Sequence, residues 1–223
     1  MQQTSSSSQP TAGPARRWIV VALGAGAVAV AASLVAATAA DANSPIAYAT
    51  LRDATGQPVG KVRFYNSDHH TTVRVRLSAN ADVTAQQFHG FHVHAGSDAA
   101  TGTSGCVADP AKPTSTWFTS AGGHLKNDGQ VHGNHNGDLE SLLVSADGTA
   151  ESTFTTDRFT PGDLKGRAII LHASADNFGN VPVGAGADQY TANSPAAVTK
   201  TQNTGNAGDR VACGVIRQGR SGD

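Results

Sequence analysis

The chain has 223 residues and a formal net charge of -1. This near-neutral balance provides no strong electrostatic field, which argues against a protein that binds nucleic acid or an acidic surface. Glycine is abundant, with 25 residues, whereas aromatic residues make up only 5%. Together with frequent threonine and valine, this composition favours short strands joined by turns over long helices.

The first 39 residues differ from the rest. Residues 1–14 are rich in Ser, Thr and Gln, and Arg16 and Arg17 then precede an uncharged apolar run over 18–39. This pattern is typical of an export signal, by the Sec or the twin-arginine route, and small residues at 37–39 suit a signal peptidase. The run is also long enough for a membrane helix, so a signal anchor stays open as an alternative. We predict a disordered and signal segment over 1–39 and one exported domain over 40–223, with its core at about 45–216.

The rest of the chain shows strand patterns. Residues 46–51 and 59–65 flank a turn at 53–56 and predict a hairpin, and 72–77 alternates strictly between polar and apolar residues. Further extended runs lie at 88–94, 139–144, 150–154, 167–172 and 210–216. The stretches 95–138 and 173–209 are predicted to be long loops, and the tail from 217 to be loose. About eight short strands with two long loops predict an all-β, antiparallel sandwich or barrel.

Six of the nine histidines fall into a metal-binding pattern. His92 and His94 lie on the same face of an extended strand, since strand side chains alternate. His172, which ends an apolar run, offers a third nitrogen. Imidazole ligands suit copper and zinc rather than calcium or magnesium.

A second group of ligands lies in the first predicted loop. His124, His132, His135 and Asp138 supply three nitrogens and one carboxylate, the number and type of ligands in a four-coordinate zinc site. If His124 faces both groups, its imidazolate ring can bridge two metal ions through its two nitrogens.

Cys106 and Cys213 are the two cysteines of the chain. In an exported protein, two cysteines are predicted to pair, and the alternative is two free buried thiols. In the chain-entropy model, closing so long a loop contributes roughly 4–5 kcal/mol to stability.

Four motifs follow one another in the chain: GFHVH at 90–94, SAGGH at 120–124, GDL at 137–139 and GNAGDRVACGVI at 205–216. Together they resemble the copper/zinc superoxide dismutase family, in its exported bacterial form, over most of residues 45–216. The resemblance implies an eight-stranded antiparallel Greek-key β-barrel with two long functional loops. It also implies conversion of superoxide to oxygen and hydrogen peroxide by copper redox cycling, as an antioxidant defence outside the cytoplasm.

The resemblance assigns roles to individual residues. The implied copper ligands are His92, His94, His124 and His172. The implied zinc ligands are His124, which would bridge the metals, His132, His135 and Asp138. Catalytic roles fall to His124 and to Arg210, whose fixed charge would attract the superoxide anion. Asp176 would link ligands of the two metals, His89 would brace a loop without binding metal, and the Cys106 and Cys213 pair would be the family's disulfide.

Two departures from the family pattern leave further readings open. Only Gly133 and Asn134 separate His132 from His135, where the family commonly has several more residues, so a copper-only dismutase is one possibility. Asn203 stands near a position where relatives often carry a lysine, which would weaken steering of the anion. A non-catalytic copper-binding or delivery protein and a zinc hydrolase also stay open, and for the hydrolase Glu140 is the only glutamate near the histidines that could act as a general base. The sequence does not determine the oligomeric state.

Overall fold

The structure is a computed structural model, and it describes residues 44–80, 82–96, 105–178 and 195–219. The predicted signal segment lies outside the described residues. No helix in the described ranges is long and apolar enough to cross a membrane.

The described part of the chain contains ten strands, one α-helix and three short 3₁₀ segments. The strands are β1 (Ala47–Arg52), β2 (Pro58–Ser67), β3 (His70–Leu77), β4 (Gln87–His89), β5 (Phe91–His94), β6 (Leu142–Val144), β7 (Ala150–Thr156), β8 (Ala168–His172), β9 (Arg210–Val215) and β10 (Arg217–Gln218). The helix is α1 (Pro195–Thr204), and the 3₁₀ segments are Thr114–Thr116, Thr119–Ala121 and Pro161–Leu164.

All strand pairs are antiparallel, and most strands join one curled sheet. Its order is β5-β8-β9-β1-β2-β3-β7, with β10 paired to β1, while β4 and β6 form a separate two-stranded sheet. The predicted all-β antiparallel fold is therefore confirmed.

Alternation along the strands builds the core. In β3, Val73, Val75 and Leu77 are buried while the residues between them are partly or fully exposed, as expected for a strand with one face on the core. On the inside, Phe64 packs edge-to-face on Phe159, with ring centroids 6.5 Å apart. This packed interior gives the strands that carry the histidines a rigid base.

The predicted strand at 88–94 is divided at Gly90. The structure has β4 before this residue and β5 after it, and the two strands belong to different sheets. A Cβ atom on Gly90 would lie 2.7 Å from the Cβ of Ala207 and 2.9 Å from Oδ1 of Asp176. Only glycine lets the second long loop approach the chain this closely, so the break positions Asp176 beside β5.

The second long loop contains helix α1, where the sequence pattern predicted no regular structure. The helix has little amphipathic character to reveal it, but it begins at Pro195 and is followed by Gly205 in a left-handed conformation, φ 64°. Proline at a helix start and glycine after its end are recognised boundary signals. The tail also differs from prediction, because Arg217–Gln218 pairs with β1.

The predicted pairing of the cysteines is confirmed. Cys106 and Cys213 form a disulfide with a Cα–Cα distance of 5.4 Å, across 107 positions of sequence. The bond ties the first long loop to β9 and thereby holds one wall of the histidine cluster against the barrel.

Candidate metal centre

Two strands and one loop bring the predicted ligands together. His92 and His94 lie on β5, and the neighbouring β8 ends in His172. The first long loop supplies the other four residues. All seven are buried: His92, His94, His124, His132, His135, Asp138 and His172.

Backbone carbonyls determine which ring nitrogens of His94 and His172 are available. Nδ1 of His94 lies 2.9 Å from the carbonyl oxygen of Gly122, and Nδ1 of His172 lies 3.1 Å from that of Gly208. Because a carbonyl only accepts, each Nδ1 carries the hydrogen and each Nε2 keeps a lone pair. The two Nε2 atoms are 3.4 Å apart, so both lone pairs are directed at one region.

Two further nitrogens complete this first set. Nδ1 of His92 and Nε2 of His124 are buried and have no hydrogen-bond partner among the described residues. An unpaired buried polar atom is costly, and a metal ion would satisfy it. Ligand atoms of these two histidines, His94 and His172 lie within 4.8 Å of one another. Four converging imidazole nitrogens fit a copper ion.

The second set converges on the carboxylate of Asp138. Its Oδ1 lies 2.8 Å from Nδ1 of His124, 3.2 Å from Nδ1 of His132 and 3.3 Å from Nδ1 of His135. Nδ1 of His135 is also 3.2 Å from Nδ1 of His124. In a tetrahedral zinc site with bonds of about 2.0–2.1 Å, neighbouring ligands are about 3.3 Å apart. Four of the six distances among these atoms are close to that spacing, which makes the four residues candidates for one zinc ion despite the short loop.

His92 could also be grouped with this second set, since its ligand atoms lie within 4.8 Å of those of His124, His132 and Asp138. The contacts of His92 distinguish it from the other members of this set. Nε2 of His92 is already bonded to Asp176, at 2.8 Å, and its Nδ1 belongs to the first set. His124 is shared by both sets, because its two nitrogens point to opposite sides.

Asp176 connects the two sets. Its carboxylate accepts from Nε2 of His92, lies 3.3 Å from Nε2 of His132 and accepts from the hydroxyl of Ser141 at 2.9 Å. Burial alone would raise the pKa of Asp176, but the adjacent imidazole of His132 and the hydrogen bond from His92 hold it well below its usual range.

Two buried carboxylates make the electrostatic environment of the cluster favourable for cations. Burial alone would raise the pKa of Asp138, but the hydrogen bond from His124 and the adjacent imidazole of His132 hold it well below its usual range. Burial alone would lower the pKa of His132, yet the adjacent carboxylates of Asp138 and Asp176 raise it to about 9. Two ionised carboxylates thus favour positive charge where a divalent ion would sit.

Three rings of the first set, those of His94, His124 and His172, are held in the neutral form. Burial lowers the pKa of His94 and of His172 well below the usual value, and neighbouring cationic groups add to the effect. Burial likewise lowers the pKa of His124 to about 4. Neutral imidazole is the form that binds metal ions, so these residues are ready to bind at pH 7.

Arg210 lies beside the first set. Its guanidinium donates to the carbonyl oxygens of Phe118 and Gly122, each at 2.6 Å. The Gly122 carbonyl is also the acceptor for His94, so one backbone group holds both side chains. Burial lowers the pKa of Arg210, but a guanidinium keeps its charge in proteins.

His89 does not reach either set. Its Nδ1 lies 2.7 Å from the carbonyl oxygen of His172, and its Nε2 lies 2.7 Å from that of Thr84. The ring therefore joins the backbone at His172 to that at Thr84.

Sequence reasoning missed two residues that contact the second set. Arg158 donates to carbonyls of the ligand loop, and Phe178 stacks on His132 with ring centroids 5.4 Å apart and an interplanar angle of 18°. Neither residue stands in a ligand motif, so no spacing in the sequence could have identified them.

The fold and this centre define an all-β protein with two adjacent metal-binding sets that share one imidazole. The family model for copper/zinc superoxide dismutase matches residues 59–216, and the chain belongs to this family. It is 39% identical over 192 residues to the Cu-Zn superoxide dismutase of Mycolicibacterium paratuberculosis, covering 82% of this chain and 79% of the relative.

Two other relatives carry the same name. Identity to the protein of Mycobacterium bovis is 36% over 178 residues, covering 76% of this chain and 69% of the relative. Identity to that of Photobacterium leiognathi is 33% over 170 residues, covering 73% and 81%. Among solved structures, the clock protein EA4 superposes with a TM-score of 0.54 at 24% identity, over 78% of this chain and 96% of that one, which supports the fold alone.

Proposed function

We propose that this protein is a superoxide dismutase that converts two superoxide anions and two protons into oxygen and hydrogen peroxide. The observation that carries the proposal is the pair of buried ligand sets that share His124. The curated relatives named Cu-Zn superoxide dismutase support it.

In this proposal each set holds one metal. Copper would be held by Nδ1 of His92 and by Nε2 of His94, His124 and His172. Zinc would be held by Nδ1 of His124, His132 and His135 and by Oδ1 of Asp138. When bound, copper supplies reversible one-electron exchange between its +2 and +1 states, and zinc keeps a single oxidation state.

The protein's own groups manage charge and protons. Arg210 offers a permanent positive charge beside the copper set, and we assign it the role of attracting and orienting superoxide. Nε2 of His124 can hold a proton whenever it is not a metal ligand, and from this buried position it can pass the proton to the reduced product. Nδ1 of the same ring faces Oδ1 of Asp138 at 2.8 Å, which leaves Nε2 for the first set.

We further propose that the protein works outside the cytoplasm. The disulfide between Cys106 and Cys213 supports an oxidising compartment. The apolar run at 18–39 would direct export, and it would either be cleaved or stay as a membrane anchor. In the same proposal, residues 1–39 form the export segment and residues 40–223 form the exported domain.

Two competing functions have specific observations against them. A copper-only enzyme would leave the second set without purpose, yet Nδ1 of His132 and His135 both approach Oδ1 of Asp138. A delivery protein needs no fixed cation beside its copper, whereas Arg210 is held there by two carbonyls.

The decisive experiment counts metals and turnover in the same sample. The mature protein is loaded with copper and zinc, dialysed, and assayed for metals per chain and for superoxide decay. One copper and one zinc with fast decay are expected. Copper alone would make the protein a copper-only dismutase, and retention of neither metal would overturn the proposal.

The variant His124→Ala should lose turnover, with His70→Ala, an exposed histidine, as the control.

A further inference from the structure

We infer that Arg158 is the positioning residue that holds the short ligand loop in zinc-binding geometry. The inference rests on the zinc site of the proposed function. It explains how a loop with only two residues between His132 and His135 directs both rings at one point.

The loop is organised from inside by Asp138. While Oδ1 of this carboxylate faces the three imidazoles, Oδ2 accepts hydrogen bonds from the backbone amides of Gly133, at 2.7 Å, and His135, at 3.0 Å. Gly133 itself adopts a left-handed conformation, φ 91°, which completes the tight turn. These bonds satisfy the amides, but the loop's carbonyls point away from the carboxylate.

Arg158 binds those carbonyls from the outside. Nη1 donates to the carbonyl oxygen of His135 at 2.8 Å, and Nη2 donates to that of Gly133 at 3.0 Å. The carbonyl oxygen of Asp138 is 3.5 Å from Nη1. The planar fork of a guanidinium can donate to two acceptors at once, which the point charge of lysine does not do with the same geometry. One side chain therefore spans the loop.

The base of Arg158 is fixed to the barrel. It follows β7 by two positions and precedes Phe159, which is buried and packs on Phe64. The carbonyl of Phe159 also accepts from the hydroxyl of Thr71 on β3, at 2.8 Å. Because its backbone is anchored in this way, Arg158 transmits the rigidity of the barrel to the loop.

The effect of Arg158 should be confined to the second set. His94 and His172 of the first set are held by strands β5 and β8 and by the carbonyls of Gly122 and Gly208, none of which contacts Arg158 through a bond in the described structure. Loss of the guanidinium therefore frees the loop carbonyls and loosens His132 and His135, while His94 and His172 of the copper set keep their supports.

The test compares zinc affinity in Arg158→Gln and Arg158→Lys with the unaltered protein. Zinc binding to copper-loaded protein is measured by competition with a coloured chelator, and copper per chain is measured in the same samples. Residues that support metal ligands typically contribute about 10–100-fold in affinity, and we expect a loss of this size for Arg158→Gln and a smaller one for Arg158→Lys. Copper retention should not change.

A matched control is Arg52→Gln, because the Arg52 guanidinium likewise donates to a backbone carbonyl, that of Gly56 at 2.8 Å, but on an exposed turn outside the ligand loop. It should leave both metals unaffected. Cobalt in place of zinc gives a second readout, because the visible spectrum of tetrahedral cobalt should weaken or shift in the Arg158 variants.

Three results would overturn the inference. Unchanged zinc affinity and cobalt spectrum in Arg158→Gln would show that the clamp is dispensable. Equal loss of copper and zinc in both variants would show a general effect on folding. Failure of the unaltered protein to bind zinc would contradict the zinc site of the proposed function. This outcome can be distinguished from failure of the inference about Arg158, because it is measured without any variant.

Discussion

At the scale of single residues, the centre depends on groups that fix the ring nitrogens rather than on the ligands alone. The carbonyls of Gly122 and Gly208 place hydrogen on Nδ1 of His94 and His172, which leaves Nε2 for the metal. In the second set, Oδ1 of Asp138 contacts the imidazole rings, and its Oδ2 accepts hydrogen bonds from the backbone. Such partners orient ligands and tune their basicity.

Replacing Asp176 with asparagine should weaken zinc binding about tenfold or more, because the carboxylate that joins His92 to His132 would lose its charge and one of its acceptors. Zinc affinity by chelator competition checks this expectation. Asp147→Asn, on an exposed turn, is the control and should bind zinc normally. Unchanged zinc affinity in Asp176→Asn would mean that the Asp176 carboxylate does not contribute to zinc binding.

Replacing Arg210 with glutamine should lower the rate of superoxide decay by roughly tenfold at low salt, since electrostatic guidance raises association rates by about 10–10³-fold. The rate should also depend less on ionic strength than in the unaltered protein. Copper content, measured in parallel, should not fall. A variant that kept both its rate and its salt dependence would contradict the steering role.

At the scale of elements, turns and strand ends determine where the loops depart. The turn between β1 and β2 is organised by Asp53, which is buried and accepts from the amides of Thr55 and Gln57, both at 2.9 Å. Its second oxygen accepts from the side chain of Asn80 at 3.0 Å. Burial alone would raise the pKa of Asp53, but these hydrogen bonds lower it below the usual value.

Because the pKa of Asp53 is lower in the folded state, its ionised form stabilises the fold at any pH above the unfolded value of about 3.9. This contribution is lost as the pH falls through the folded pKa. Asp53→Asn should therefore destabilise the protein by about 1 kcal/mol at pH 7. Urea unfolding at pH 7 and at pH 3 measures the difference, which should shrink at the lower pH. An equal difference at both values would rule out the charge as the cause.

Element prediction succeeded where periodicity is local. The strict alternation at 72–77 predicted β3, because the barrel's inner face selects every second residue. It failed at Gly90, where the division between β4 and β5 follows from the close approach of Ala207 and Asp176, residues far along the chain. It also missed α1, whose polar residues lack a strong apolar stripe.

At the scale of the whole molecule, one covalent bond joins a loop of the metal centre to the barrel. The disulfide of Cys106 and Cys213 closes 107 positions of chain, and β9, which carries Cys213, begins with Arg210. Loop, strand and catalytic candidate are thereby held together.

Replacing both cysteines with alanine should reduce the free energy of unfolding by roughly 4–5 kcal/mol, the loop-closure value for a cross-link of this length. Guanidinium unfolding of the double variant and of the oxidised protein provides the comparison. Chemical reduction of the unaltered protein should produce a similar loss. Equal stability of the three forms would show that the bond adds nothing beyond the packing of the loop.

The sequence by itself determined the all-β class, the ligand types and the pairing of the cysteines. Strand alternation and histidine spacing can be recognised along the chain, and a chain with two cysteines allows one internal disulfide. Only the tertiary structure decided that His124 lies between the two sets and that a short loop can still direct His132 and His135 at Asp138. It also brought Arg158 and Asp176 into contact with the centre. Such contacts join residues distant in the chain, and they exist only once the barrel has formed and brought its loops together.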